Sequence, residues 1–216
     1  MVITETLEAN IEKGWFVVDN TLVTQQSIKI FDAFKKLFIE KKPKQILEIG
    51  AQAGGLTLCI GYMLNELNMN ETKILSYDIK EIQGIDFIVS KFNNINFKIE
   101  NLFTDSYLQL QPEKIDYIKT FIQQSGTTIV LCDGKSKKNE FRLISSYLKQ
   151  GDIIMAHDYS PNSDYFASVT KPNKIWLWHE IDDNDVSDSM KNNNLSFYMH
   201  EIFRDAAWLC TVKNEQ

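Results

Sequence analysis

One segment restricts the possible folds of this chain more than any other, the run QILEIGAQAGGLT at residues 45–57. It starts as a short apolar strand at Gln45–Ile49, turns through Gly50, Gly54 and Gly55, and continues into a helical pattern. Glycines at a strand-to-helix turn permit positive φ angles and allow a ligand to approach the backbone closely. Because open α/β sheets bind ligands at the carboxyl ends of their strands, the turn predicts both a parallel sheet and a ligand site at its edge.

The alternation of strand and helix continues along the chain. Apolar runs typical of buried parallel strands occur at Gln45–Ile49, Lys73–Tyr77, Asn96–Ile99, Thr128–Cys132 and Asp152–Ala156. Helical stretches lie at Leu56–Leu67, Ile85–Phe92, Pro112–Gln124 and Lys137–Lys149. Two further β-rich runs, Phe197–Phe203 and Ala206–Val212, are separated only by Arg204 and Asp205, which predicts a hairpin. We therefore predict an α/β fold, a doubly wound, Rossmann-like sheet of seven strands, mostly parallel, with an antiparallel hairpin at its C-terminus.

An amphipathic helix precedes the first of these strands. Apolar residues recur at helical spacing within Gln26–Glu40, and Pro43 follows shortly after. We predict that residues 1–44 form an N-terminal helical extension and that residues 45–216 form the main part of one single-domain protein.

Composition and charge limit the partners. The formal net charge of −6 argues against a nucleic acid, because such binding relies on basic side chains that neutralise phosphates. No stretch approaches the roughly 20 apolar residues that cross a bilayer, and the polar N-terminus does not resemble a signal peptide. Cys59, Cys132 and Cys210 lie in separate apolar segments without CxxC spacing, which favours buried thiols in a reducing compartment. We expect a cytoplasmic protein with no membrane partner, and the oligomeric state stays open.

The glycine turn differs from the fingerprint of dinucleotide-binding proteins. A GxGxxG motif would need glycine where Gln52 stands. The pattern is instead Glu48-x-Gly50-x-x-x-Gly54, with a carboxylate two residues before the first glycine. It resembles motif I of class I S-adenosylmethionine-dependent methyltransferases, and in particular the turn of the catechol O-methyltransferases.

This resemblance implies a cofactor and the residues that bind it. S-adenosylmethionine carries a sulfonium, an ammonium and a ribose diol, which all favour nearby carboxylates. The acid that ends the second strand in the family matches Asp78, where it would hold the ribose hydroxyls. The cofactor-binding residues that the resemblance implies are Glu48, Gly50, Ala51, Gln52, Gly54, Asp78, Asn101 and Asp133.

The ends of the fourth and fifth parallel strands carry the residues expected to perform chemistry. Asp133 follows the fourth strand, and His157 and Asp158 follow the fifth. These positions resemble the metal ligands of the catechol, macrocin and cephalosporin-hydroxylase-like groups of methyltransferases. The resemblance implies a divalent ion that orients an acceptor hydroxyl and lowers its pKa. Mg²⁺ prefers oxygen ligands, so an imidazole favours Mn²⁺ or another transition ion over Mg²⁺.

Two residues are candidates for the base that removes the acceptor proton. Lys135 stands shortly after Asp133, although the catechol group has its lysine one position later and the macrocin group has an aspartate at the position of Lys135. His157 is the base if the enzyme works without a metal. We expect Lys137 and Lys138 to lie in a solvated first helical turn instead.

The segment Tyr159–Asn194 is the least regular part of the sequence and a candidate cover for the active site. Trp176 and Trp178 within it form either a packed core cluster, which we favour, or a substrate wall. Its aspartates, Asp182, Asp183, Asp185 and Asp188, lack the order of an EF-hand and predict a solvated acidic loop.

Together these features predict an S-adenosylmethionine-dependent methyltransferase, an O-methyltransferase that acts on a small hydroxylated acceptor with the help of a divalent ion. Two alternatives stay open: an NAD(P)-type oxidoreductase on a Rossmann sheet, and a non-catalytic relative that keeps the cofactor site. Calorimetry with adenosylmethionine, adenosylhomocysteine and NAD would separate these outcomes.

Overall fold

The computed structural model describes residues 15–18, 22–27, 29–81 and 84–215. The described strands are β1 (Trp15–Val18), β2 (Leu22–Gln25), β3 (Gln45–Ile49), β4 (Lys73–Asp78), β5 (Ile95–Ile99), β6 (Thr128–Cys132), β7 (Ile153–His157), β8 (Leu195–Phe197) and β9 (Trp208–Lys213). The five apolar runs predicted as parallel strands correspond to β3 to β7, with ends that differ by one residue or not at all.

The described helices are α1 (Ile30–Lys41), α2 (Gly55–Glu66), α3 (Ile85–Lys91), α4 (Pro112–Ile122), α5 (Lys137–Ile144), α6 (Ser163–Tyr165), α7 (Asp183–Asn192) and α8 (His200–Arg204). The helix predicted at Lys137–Lys149 ends early, and a 3₁₀ turn, Ser145–Tyr147, continues it. None of the described helices is long and apolar enough to cross a membrane.

The main sheet has seven strands in the order β5-β4-β3-β6-β7-β9-β8. Strands β3 to β7 pair in parallel, whereas β9 pairs antiparallel with both β7 and β8. The order reverses direction at β3, because the chain first builds outward to β5 and then returns to place β6 on the other side of β3. This is the switch point at which doubly wound sheets bind their ligands, and the predicted fold class is confirmed.

Alternate residues of the central strands point to two apolar layers. Ile46 faces the layer that includes α1 and α2, and its neighbour Leu47 faces the layer that includes α4 and α5. Both side chains are fully buried. Burial on both faces explains why these strands appear in the sequence as continuous apolar runs without alternation.

The two C-terminal strands pair antiparallel as predicted, but the segment that connects them is not the predicted two-residue turn. Only Leu195–Phe197 forms a strand, and His200–Arg204 forms a short helix rather than the rest of a strand that ends at Phe203. Met199 turns the chain with a φ of 48°, and Phe203 is then buried against Phe34 of α1, with ring centres 5.8 Å apart. Packing of Phe203 into the core outweighs the β propensity of this run.

The segment Tyr159–Asn194 contains more regular structure than its sequence suggests. The acidic run predicted as a solvated loop instead begins helix α7, since the Asp182 carboxylate accepts hydrogen bonds from the amides of Asn184 and Asp185. The Asp185 side chain accepts in return from the amide of Asp182, which completes a capping box.

The N-terminal part of the chain also differs from expectation. The described part of residues 1–44 contains an antiparallel pair of strands, β1 and β2, as well as the predicted helix. Helix α1 contributes Phe34, Leu37 and Phe38 to the same apolar layer as β3 and α2. The division of the chain at residue 44 stays a prediction.

Candidate functional site

A pocket of about 690 Å³ lies at the carboxyl ends of the parallel strands. One side is formed by residues that follow β3, β4 and β5, including Gly50, Asp78 and Asn101. The other side is formed by residues that follow β6 and β7, including Asp133 and Asp158. The two regions that sequence analysis selects for cofactor binding and for chemistry therefore open into one cavity.

The glycine turn fits tightly against the end of β6. Gly50 has a φ of 93°, and a Cβ placed on it would lie 2.3 Å from the carbonyl oxygen of Asp133. Any other residue at position 50 would be strained by this φ and would clash with the carbonyl oxygen. Glycine avoids the strain and the clash, so the backbone of the turn packs directly against the backbone of Asp133. The amides of Gly50 and Ala51 both donate to the carbonyl of Tyr77, which fixes the turn against β4.

Asp78 links the turn to the end of β4. Its Oδ2 accepts from the amide of Gln52 at 2.7 Å, and its Oδ1 accepts from the amide of Lys80 at 2.9 Å. Each carboxylate oxygen has capacity for a further hydrogen bond. Asp78 therefore organises the turn and still presents acceptors to the pocket.

Five of the predicted cofactor residues line the pocket, namely Gly50, Gln52, Asp78, Asn101 and Asp133. Ala51 and Gly54 belong to the turn but not to the lining, whereas Ala53, which the sequence analysis does not select, is part of it. The Asn101 side chain accepts from the amide of Phe103 at 3.0 Å, which orients it at the end of β5.

Glu48 lies behind the pocket wall and does not line the cavity, unlike the other acidic residues predicted to bind the cofactor. It is fully buried, and its Oε2 accepts from Thr57 on α2 and from Ser76 on β4, both at 2.5 Å. Burial raises the pKa of Glu48 to about 7, even though these hydroxyls favour the charged form. Glu48 thus connects two strands and a helix beneath the turn.

Asp133, His157 and Asp158 form a cluster of acids and imidazole on the opposite side. One ligand atom from each lies within 4.8 Å of the others. Nδ1 of His157 lies 2.9 Å from Oδ1 of Asp133 and 3.6 Å from Oδ1 of Asp158. Asp158 has a φ of 56°, an unusual backbone conformation for a residue other than glycine.

The imidazole of His157 is held between two indole rings. Its centre lies 4.7 Å from that of Trp176 and 4.8 Å from that of Trp208, and its Nε2 is buried without a hydrogen-bond partner in the described structure. Burial alone would lower the pKa of His157, but the carboxylate of Asp133 outweighs it and raises this pKa. Of the two ring nitrogens of His157, Nδ1 is the one that faces the carboxylates of Asp133 and Asp158.

Lys137 lies inside this cluster, contrary to the expectation of a solvated lysine. Its side chain is 8% exposed, and its ammonium lies 2.8 Å from Oδ2 of Asp158 and 3.9 Å from Oδ1 of Asp133. It also contacts Glu180 at 3.0 Å. Burial alone would lower the pKa of Lys137, but Asp133 and Asp158 raise it well above its usual range. Its neighbour Lys138 is exposed as expected and pairs with Asp185.

Lys135, the candidate base, lines the pocket away from the centre of the cluster. Its side chain is exposed, and its ammonium lies 5.1 Å from the ring centre of Tyr107. The lysine that balances the two aspartates is therefore Lys137 and not Lys135.

Glu140 shapes the loop that carries these residues. It is fully buried, and its two carboxylate oxygens accept from the amides of Gly134 and Ser136 at 3.0 and 2.9 Å. Burial raises the pKa of Glu140 to about 7, although these amides favour the charged form. A side chain on Gly134 would collide with Glu140, so the two residues fit only as a pair.

The segment Tyr159–Asn194 lies over the pocket as predicted. Trp176, Trp178 and Glu180 line the same cavity as Asp133. Trp176 is buried and donates from Nε1 to Oδ1 of Asp158 at 2.5 Å, whereas Trp178 is 41% exposed at the pocket wall. Trp176 therefore fits the interpretation of the sequence as a packed core cluster, and Trp178 fits the interpretation as a pocket wall.

Some functional contacts have no clear signal in the sequence. Gln26 donates to Oδ2 of Asp133 at 2.9 Å and accepts from Nε1 of Trp208 at 2.8 Å, although 107 residues separate Gln26 from Asp133. Lys137 could have been found, because it stands four residues after Asp133 at the start of a helix.

Comparisons with known proteins point to one family. The family model described as Rhamnosyl O-methyltransferase/CmcI matches residues 17–214. No curated protein sequence matches the chain. A CmcI structure with SAH is 11% identical, with a TM-score of 0.54 over 89% of this chain and 80% of that one. A CmcI structure with Mg-SAM is also 11% identical, with a TM-score of 0.56 over 87% of this chain and 73% of that one. An O-methyltransferase family protein from Burkholderia thailandensis is 9% identical, with a TM-score of 0.57 over 86% of this chain and 55% of that one.

Proposed function

The chain belongs to the Rhamnosyl O-methyltransferase/CmcI family and is an S-adenosylmethionine-dependent O-methyltransferase; we propose that its acceptor is a small hydroxylated molecule bound beside Asp133, His157 and Asp158. The observation that carries this proposal is the single cavity shared by the glycine turn and the acid–imidazole cluster. Methyl transfer needs the sulfonium and the acceptor oxygen in line and in contact, and a shared cavity provides that proximity.

The residues that would hold the cofactor lie on the side of the pocket formed by the ends of β3, β4 and β5. Asp78 would accept hydrogen bonds from the ribose hydroxyls, and Gly50 and Gln52 would let the cofactor approach their backbone closely. Asn101 contributes a polar group at the end of β5. Because Gly50 is in close contact with the carbonyl of Asp133, a cofactor held by the glycine turn would be near the acids of the other side.

The residues of the cluster fit a divalent ion in spacing and in type. Ligand atoms of Asp133, His157 and Asp158 that lie within 4.8 Å of one another can meet at one ion. Two carboxylates and an imidazole suit Mn²⁺ or a related transition ion better than Mg²⁺. Such an ion, when bound, would lower the pKa of the acceptor hydroxyl and orient its oxygen.

The chain's own residues position the acceptor and its proton. If no ion is bound, the Asp133–His157 pair is the proton acceptor that we favour over Lys135, because both its members face the cluster while Lys135 lies against Tyr107. Trp176 holds Asp158 from the covering segment. Trp178 and Tyr107 offer flat faces to the acceptor, and Lys135 offers a positive charge.

The two alternatives make different predictions. An NAD(P)-type oxidoreductase would bind NAD, although the turn has Gln52 in place of the second glycine of the fingerprint. A non-catalytic relative would bind adenosylhomocysteine without transferring a methyl group. The intact cluster around Asp133 favours catalysis over this second alternative.

Calorimetry with adenosylhomocysteine and NAD, followed by a methyl-transfer assay on a panel of phenols and sugars with added Mn²⁺, tests the proposal. We expect adenosylhomocysteine to bind and NAD not to bind. Asp133→Asn should retain adenosylhomocysteine and lose activity by at least about a hundredfold, the scale on which a proton-transfer group contributes. Asp116→Asn, an exposed acid on α4, is the matched control.

Tighter binding of NAD than of adenosylhomocysteine would contradict the cofactor assignment. Full activity in Asp133→Asn would instead contradict the role of the cluster and leave the cofactor assignment intact.

A further inference from the structure

Every carboxylate oxygen of the two clustered aspartates already has a donor within the protein. Oδ1 of Asp133 is paired with Nδ1 of His157, and its Oδ2 accepts from Gln26. Oδ1 of Asp158 accepts from Trp176, and its Oδ2 contacts the ammonium of Lys137 at 2.8 Å. The cluster is therefore fully hydrogen-bonded by the chain itself, and Lys137 offsets part of its negative charge.

The ammonium of Lys137 is completely satisfied where it lies. It contacts Oδ2 of Asp158 at 2.8 Å and Oε2 of Glu180 at 3.0 Å, and it donates to the carbonyl oxygen of Gly134 at 3.1 Å. These three acceptors match its three N–H donors. Its side chain is 8% exposed, so solvent screens its charge only weakly.

We infer that Lys137 is a resident counter-ion which competes with a divalent cation for the Asp133–His157–Asp158 cluster and thereby sets the affinity of the site for metal. This inference rests on the proposed function, because it takes these three residues as the ion's ligands. An ion bound to Oδ1 of Asp133, which lies 3.9 Å from the ammonium, would be within about 6 Å of it. Charges of the same sign at that distance in a buried site repel strongly, so either Lys137 moves away or the ion binds weakly.

The same contacts connect ion binding to the covering segment. Glu180 belongs to the segment Tyr159–Asn194 and is held to the cluster by Lys137. Movement of Lys137 would release the side chain of Glu180, while the Glu180 amide would still donate to the carbonyl of Asp158 and Trp176 would keep its own hydrogen bond to Asp158. Loading of the ion therefore loosens one side-chain contact between the cover and the site.

The test compares Mn²⁺ binding to the full chain and to Lys137→Gln by electron paramagnetic resonance titration of free Mn²⁺. Removing the positive charge should tighten Mn²⁺ binding by at least about tenfold. Lys137→Arg keeps the charge and should stay near the original affinity. Lys138→Gln removes the same charge from the neighbouring, exposed position and should leave Mn²⁺ affinity unchanged.

Thermal unfolding with and without Mn²⁺ provides a second measurement. A variant that was only less stable would show a lower Tm but no larger rise of Tm with Mn²⁺. Lys137→Gln leaves Asp158 and Glu180 without their cation, so its Tm should fall, and Mn²⁺ should raise that Tm more than it raises the Tm of the original protein. Equal Mn²⁺ affinities in the original protein and Lys137→Gln would overturn the inference, and so would the absence of Mn²⁺ binding in both. Adenosylhomocysteine binding, measured on the same samples, reports separately on the cofactor assignment.

Discussion

Replacing Glu48 by glutamine should change how the stability of this protein depends on pH. The carboxyl group is fully buried, and its pKa is about 7 in the folded protein against an ordinary value of 4.5. The folded state therefore holds the proton over a range in which the unfolded chain has released it. The stability that the protonated group contributes is complete below the ordinary pKa and is lost as the pH rises through about 7.

The size of the effect follows from the shift in pKa. Each unit is worth about 1.4 kcal/mol, so between about pH 5 and about pH 8 the free energy of unfolding of the original protein should fall by about 2.5 kcal/mol relative to Glu48→Gln. Glutamine imitates the protonated acid, because it keeps one oxygen to accept from Thr57 and Ser76 and cannot ionise. Glu140 titrates in the same direction in both proteins, so the comparison isolates Glu48.

Urea unfolding at a series of pH values measures this difference, with Glu71→Gln as a control at an exposed position. We expect the curves of the original protein and Glu48→Gln to converge at low pH and to separate as the pH rises. Parallel curves would refute the argument that burial dominates the ionisation of Glu48. Adenosylhomocysteine affinity should be nearly unchanged in Glu48→Gln, since Glu48 does not line the pocket.

Two further substitutions test the two sides of the pocket. Asp78→Ala should weaken adenosylhomocysteine binding by about 1.5–3 kcal/mol in calorimetry, the range for hydrogen bonds to a charged group, and unchanged binding would show that the ribose lies elsewhere. Glu140→Ala should lower the free energy of unfolding by about 2–3 kcal/mol in urea, because the amides of Gly134 and Ser136 lose their acceptor. Glu140→Gln, which keeps one acceptor, should lose less, and equal losses in both variants would contradict this reason.

The sequence predicts the sheet well because its strands are buried on both faces. Such strands appear as unbroken apolar runs, and the glycine turn after Gln45–Ile49 fixes the direction of the first crossover. The run Phe197–Phe203 is different, because the periodicity of its apolar residues fits a strand as well as it fits a helix. The burial of Phe203 against Phe34 decides between them, and no local pattern records a contact between residues so far apart.

The candidate site is predictable to different degrees on its two sides. Backbone geometry builds the cofactor side, and the residues required there, such as Gly50, are visible as a local motif. Side chains meeting from distant segments build the other side. The sequence favours Lys135 and predicts a solvated Lys137, whereas the helical turn that begins at Lys137 directs the Lys137 ammonium inward and leaves that of Lys135 at Tyr107.

Part of the N-terminal segment contributes to this site. Gln26 donates to Asp133 and accepts from Trp208, and the indole of Trp208 stacks on His157. One amide side chain therefore orients an acid of the cluster and, through the indole, restrains the imidazole. Because Gln26 stands only four residues before the start of α1, the packing of that helix on the sheet sets the position of Gln26 and so of the Asp133 carboxylate. The helix is thus part of the structure that positions the proposed acceptor site.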